Sequence, residues 1–75
     1  MRLNRLSIVI PCYNEEACLE QLHSRVAAAA KLAVGNAYEI VLINDGSRDR
    51  SWSVMQALAE RDPHVLAINL SRNHG

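Results

Sequence analysis

Three short polar runs carry the side chains that could do chemistry. Pro11-Cys12-Tyr13-Asn14-Glu15 offers an aromatic ring beside a carboxylate, Asn44-Asp45-Gly46-Ser47 a carboxylate and a hydroxyl around a bare glycine, and Ser71-Arg72-Asn73-His74-Gly75 a guanidinium. A carboxylate at Asp45 accepts an N–H from the edge of a nucleobase, Gly46 lets a backbone approach closely, and Ser47 donates its hydroxyl, which together make a base or ribose pocket. The same residues also make an ordinary Asn-Asp-Gly turn in which Asp45 and Ser47 satisfy backbone amides. Tyr13 is either one wall of a base pocket, with Pro11 setting the backbone that leads there, or a partly buried ring beside a strand-ending proline. Asn14 and Glu15 read as a helix cap and its first-turn charge as readily as ligand groups. Arg72 suits the oxygens of a diphosphate and equally a solvated surface.

The elements that must hold these runs are legible from apolar patterning. Leu6-Ser7-Ile8-Val9-Ile10 is a short β-branched run closed by Pro11, which predicts a strand. Asn14 is then the expected cap of a first helix, with Glu15 and Glu16 in its first turn and Leu19, Leu22, Val26 and Ala29 or Ala30 recurring at helical spacing. Gly35-Asn36 supplies the stop. Glu39 to Ile43, introduced by Tyr38, reads as a second strand. A second helix follows, with Asp49 as its cap and Trp52, Met55 and Leu58 or Ala59 on one stripe, and Asp62-Pro63 ends it. Val65 to Leu70 is the third strand. The resulting β-α-β-α-β order predicts an α/β, Rossmann-like fold with a three-stranded parallel sheet, and all three polar runs then follow strand carboxyl ends, the edge where open parallel sheets bind ligands.

In each strand both alternating residue sets are apolar, as with Ile40 and Leu42 against Val41 and Ile43, so cover is expected on both faces. Two right-handed crossovers stepping in one direction place both helices on a single face. The other face is then expected to be bare, which predicts a piece of a longer chain that self-associates through the uncovered sheet or depends on another chain.

Composition narrows the function classes. The 75 residues are 49% hydrophobic and 21% charged, a globular balance, and eight basic residues offset eight acidic ones without forming a stripe, so no nucleic-acid partner is expected. Cys12 and Cys18 form no Cys-x-x-Cys pair and are too few for a disulfide scaffold, which fits a cytoplasmic setting. The basic start and short apolar run make neither a convincing signal peptide nor a membrane span. His23 and His64 have no companion at metal-ligand spacing and are expected in surface or packing roles. No cysteine nucleophile is supported, and the usual glycine-rich dinucleotide and triphosphate loops are missing after the first strand.

Taken in order, Ile8-Val9-Ile10-Pro11-Cys12-Tyr13-Asn14-Glu15-Glu16, Ile43-Asn44-Asp45-Gly46-Ser47-Arg48-Asp49 and Leu70-Ser71-Arg72-Asn73-His74-Gly75 resemble the opening of glycosyltransferase family 2, whose catalytic domain has the GT-A fold. The resemblance spans Leu6 to Gly75, and the Ser-Arg-Asn-x-Gly ending is most similar to the branch that moves a sugar from a nucleotide donor to a polyprenyl phosphate. It implies that residues 1–75 are the amino-terminal part of such a catalytic domain, an incomplete GT-A nucleotide-sugar-binding unit. By the same resemblance Pro11, Tyr13 and Glu15 border the nucleoside, Asp45 contacts the base, and the segment with Arg72 shapes the donor site. Asn44 stands where the family often has an acid, and His74 where this branch often has Phe.

The family further implies a UDP- or GDP-sugar donor, a lipid-phosphate acceptor, inversion at the anomeric carbon, and work at the cytoplasmic face of a membrane. It also implies Mg2+ or Mn2+ held by an Asp-x-Asp motif expected beyond Gly75, so that no residue of this chain is expected to bind the metal or to act catalytically. Two readings from other classes stand beside it: a non-catalytic nucleotide-binding remnant, and a structural piece that completes a partner's sheet.

Overall fold

The computed structural model describes residues 5–14, 16–46 and 50–70. Strand β1 (Leu6–Cys12) leads to helix α1 (Leu19–Val34), strand β2 (Tyr38–Asn44), helix α2 (Ser51–Arg61) and strand β3 (Val65–Asn69). The strands form one parallel sheet in the order β1-β2-β3, with Ile8 opposite Ile40 and Leu42 opposite Ala67. This is the expected α/β arrangement, a partial Rossmann or GT-A-like fold.

Alternation along β2 sets the core. Tyr38, Ile40, Leu42 and Asn44 are buried beneath the helices, whereas Glu39, Val41 and Ile43 are only half-buried on the opposite face. Leu19 and Ala30 from α1, and Met55 and Leu58 from α2, close over the buried set, with Val26 and Trp52 packed against it. Of the two alanines left open by the α1 periodicity, Ala30 is the buried one and Ala29 is exposed. On the far face Val9 and Leu66 are 58% and 52% exposed, with Ile68 and Leu70 beside them, so the bare face follows from two crossovers of one hand and direction.

Several boundaries differ from the sequence-based expectation, each for a physical reason. Pro11 does not close β1, which continues to Cys12 with Pro11 opposite Ile43. The Cys12 carbonyl accepts from the Asp45 N–H, so the backbone groups of the alternate residue Pro11 point off the open edge, where a missing N–H loses no ladder bond. Helix α1 begins at Leu19 rather than directly after Asn14. Asn14 has φ of 53°, a left-handed turn position that asparagine tolerates, and the N-cap position is Cys18, without a side-chain cap. Glu16 therefore lies in a turn and not in a helix. Asp49 lies outside the described residues, and the N-cap position of α2 is Arg50, again without a side-chain cap.

The helix ends follow the sequence closely. Gly35, with φ of 65°, donates its N–H to Lys31 O at 2.9 Å and stops α1. Asp62 is extended, as a residue preceding proline must be, and ends α2. β2 takes in both Tyr38 and Asn44, and β3 stops at Asn69, although the Leu70 N–H still reaches Asn44 O at 2.9 Å.

Candidate functional site

The carboxyl ends of the three strands meet along one rim of the sheet. The backbone ties them there: Asp45 N–H donates to Cys12 O at 3.1 Å, and Leu70 N–H to Asn44 O. Beneath this rim Cys12, Asn44 and Asn69 are register partners, and the Asn44 Nδ2 donates to Asn69 Oδ1 at 2.9 Å, so a pair of amides locks the ends of β2 and β3 together. Asn44 is buried and needs such a partner, because a buried amide without one costs about 1–3 kcal/mol.

Of the residues expected to hold a nucleotide, Pro11 sits exposed near the end of β1, and Tyr13 follows just beyond the strand and is 55% exposed. Asp45 is half-buried directly beyond β2, brought beside the end of β1 by the hydrogen bond its N–H donates to Cys12 O. Gly46 takes φ of 77°, which bends the chain sharply after the carboxylate. Glu15, Ser47 and Arg72 lie outside the described residues, as do Arg48 and residues 71–75 generally. The rim thus combines an accessible aromatic ring, a carboxylate and a glycine turn, an arrangement able to stack on a flat ring and accept its N–H groups.

Two features of this chain were not legible as pairings. The Arg50 N–H, at the start of α2, donates to Glu16 Oε1 at 3.2 Å, so the loop after β1 reaches the loop after β2. At the opposite rim, His23 Nε2 donates to Asp62 Oδ2 at 2.8 Å and His64 Nδ1 to Asp62 Oδ1 at 3.1 Å, while the His64 ring stacks on Tyr38 with centroids 4.1 Å apart. A carboxylate only accepts, so His23 Nε2 and His64 Nδ1 each carry the proton of their bond. Burial by itself would raise the Asp62 pKa, but the bonds from His23, the His64 amide and the His64 ring, with the charge of His23, outweigh it and hold the carboxyl below its ordinary value. Burial, then the Asp62 charge, push the Tyr38 hydroxyl up. The two histidines therefore serve packing and hydrogen bonding, and the signal that joins them is Asp62, remote from His23 in sequence.

Among the described residues no three His, Cys, Asp or Glu side chains are grouped to hold a metal ion, and no helix is long and apolar enough to cross a membrane.

Residues 7–75 match the family model described as Glycosyl transferase family 2. The chain is 54% identical over 74 residues to an undecaprenyl-phosphate 4-deoxy-4-formamido-L-arabinose transferase of Pseudomonas aeruginosa (strain LESB58), a match covering 97% of this chain and 22% of the relative. Proteins of the same name from Shewanella sediminis (strain HAW-EB3) and Yersinia pestis (strain Pestoides F) are 56% identical over 71 residues and 47% identical over 74. Those matches cover 93% and 97% of this chain and 21% and 22% of the relatives, so the chain spans about a fifth of the length of the curated proteins it matches. With a parallel sheet of the expected order, a polar rim at its strand ends and a family match over nearly every residue, the chain belongs to glycosyl transferase family 2.

Proposed function

We propose that this chain forms the donor-nucleotide side of a nucleotide-sugar-dependent transferase whose acceptor is a polyprenyl phosphate. The observation that carries the reading is the rim itself, where Asp45 is held against the end of β1 beside the accessible ring of Tyr13. In this reading Asp45 accepts from the N–H groups of a uracil or guanine edge, Tyr13 packs against the base, and Pro11 sets the backbone between them. Glu15 borders the same nucleoside, and Arg72 meets the diphosphate. The names of the relatives support undecaprenyl phosphate as the acceptor class.

The chemistry assigned to the whole enzyme is displacement at the anomeric carbon with inversion. A phosphate oxygen of the acceptor forms the new bond as the bond to the nucleoside diphosphate breaks, and an acceptor already anionic needs less help from a base than a sugar hydroxyl does. Residues 1–75 supply donor binding and no catalytic group. Magnesium or manganese would neutralise the leaving diphosphate in the full enzyme. Among the described residues of the rim the carboxylates are Asp45 and Glu16, with Glu16 Oε1 accepting from the Arg50 amide, too few oxygens to cage such an ion by themselves. A lipid acceptor implies work at a membrane surface, which this reading assigns to the cytoplasmic face.

Titration of the chain with uridine and guanosine diphosphates, followed by amide NMR shifts, tests the reading. Perturbations should fall on Tyr13, Asp45 and Gly46 and spare Tyr38 and His64 at the other rim. Asp45→Ala should weaken binding about tenfold or more, the worth of a hydrogen bond to a charged group. Binding that ignores this substitution, or shifts confined to the opposite rim, would remove Asp45 as the base acceptor.

A further inference from the structure

Among the described residues, the N-cap position of helix α2 makes no side-chain cap of its own. That position is Arg50, and the first turn of the helix contains no acidic residue. The amides at a helix start lack partners within the helix and carry partial positive charge, so they seek an acceptor and favour an anion. Here the acceptor comes from another loop: Glu16, exposed in the turn after β1, places Oε1 3.2 Å from the Arg50 nitrogen.

The position of this contact gives it a role beyond capping. Tyr13 and Glu16 lie on the loop from β1 to α1, and Asp45, Gly46 and Arg50 on the loop from β2 to α2. At the base of the two loops the Asp45 amide is bonded to Cys12 O. At their far ends Glu16 is bonded to the Arg50 amide. The two connections are thus tied twice, at Asp45–Cys12 and at Arg50–Glu16, and Tyr13 and Asp45 each follow one of the strand ends so joined.

We infer that Glu16 is a positioning residue that holds the β1–α1 and β2–α2 loops at a fixed separation and so sets the gap into which a flat nucleobase enters between Tyr13 and Asp45. The inference rests on the donor-binding reading above, but the clamp is observable without ligand. Removing the carboxylate leaves the Arg50 amide without its acceptor and lets the two loops drift apart, which weakens binding although Glu16 touches no nucleotide. Glutamine keeps an oxygen acceptor on a side chain of the same length, whereas aspartate, shorter by one methylene, falls short.

The test compares the chain with its Glu16→Ala, Glu16→Asp and Glu16→Gln variants by amide hydrogen exchange at Arg50 and by uridine diphosphate titration. Glu16→Ala and Glu16→Asp should each speed exchange at Arg50 and raise Kd roughly fivefold, the scale of a lost helix cap, and Glu16→Gln should stay within about twofold of the parent for both. Unchanged Arg50 exchange in Glu16→Ala overturns the clamp. A loss of affinity shared equally by alanine and glutamine, with exchange unaltered, also overturns it by making the charge a ligand contact. If the parent chain binds no nucleotide, the donor reading fails, and the exchange data alone decide whether Glu16 ties the loops.

Discussion

Asp45 and Gly46 show how much one dipeptide settles at the rim. The carboxylate leaves β2 with its amide tied to Cys12 O, and the next residue must adopt φ of 77° for the chain to turn away. Among the described residues a Cβ built on Gly46 meets nothing within 4 Å, so the penalty they impose on a side chain there is the left-handed backbone. Gly46→Ala is therefore expected to cost roughly 1–2 kcal/mol in urea unfolding, and Gly46→Asn distinctly less, because asparagine tolerates this region. Equal losses for the two would place the cause elsewhere. The type and spacing of Asp45, Gly46, Pro11 and Tyr13 were legible in the sequence. The reach of Glu16 to Arg50 was not, since it spans 34 residues and joins an acid expected in a helix to a backbone amide that has no sequence signature.

Among the elements, α1 and the α2–β3 connection are joined by polar rather than apolar chemistry. His23 occupies the inward stripe of α1, and its bond to Asp62 joins that helix to the end of α2 across 39 residues. Asp62 titrates below its ordinary value of 3.8 in the folded chain, so its contribution to stability is complete above that value and is lost as pH falls through the lower, folded pKa. Asp62→Asn should thus lower stability near pH 7 by on the order of 1 kcal/mol, and the gap between parent and variant should close in acid, where the parent carboxylate is protonated as well. Denaturant unfolding at a series of pH values below 3.8 checks this, and a gap that fails to narrow there would contradict the assigned bonds. The exposed Arg61–Glu20 pair at 3.2 Å adds little to the same joint. Helix and strand interiors were readable from period alone. Their ends were less so, because Pro11 is admitted to β1 only by its place on a sheet edge and Asn14 turns left-handed instead of capping α1.

For the whole molecule, the bare sheet face is the dominant physical fact. Val9, Leu66, Ile68 and Leu70 form an exposed apolar surface on the side opposite the helices, and apolar area left in water is stabilised when something covers it, at roughly 25 cal/mol per Å2. The chain on its own is expected to self-associate through this face. The double variant Val9→Lys, Leu66→Glu should shift sedimentation toward monomer while leaving the circular dichroism of the fold intact, since neither side chain lies in the helix-covered core. Association unaffected by the pair would point to a strand edge instead. By itself, the sequence determined the element order, the parallel sheet, the common rim of the three strand ends and the family, because period, turn chemistry and handed crossovers are local or nearly local rules. Tertiary structure alone decided which acceptor each remote donor finds. It put Glu16 at the start of α2, Asn69 beside Asn44 and Asp62 between two histidines, because contacts between residues far apart in the chain depend on how packed helices and paired strands bring them together, and residue type does not encode that distance.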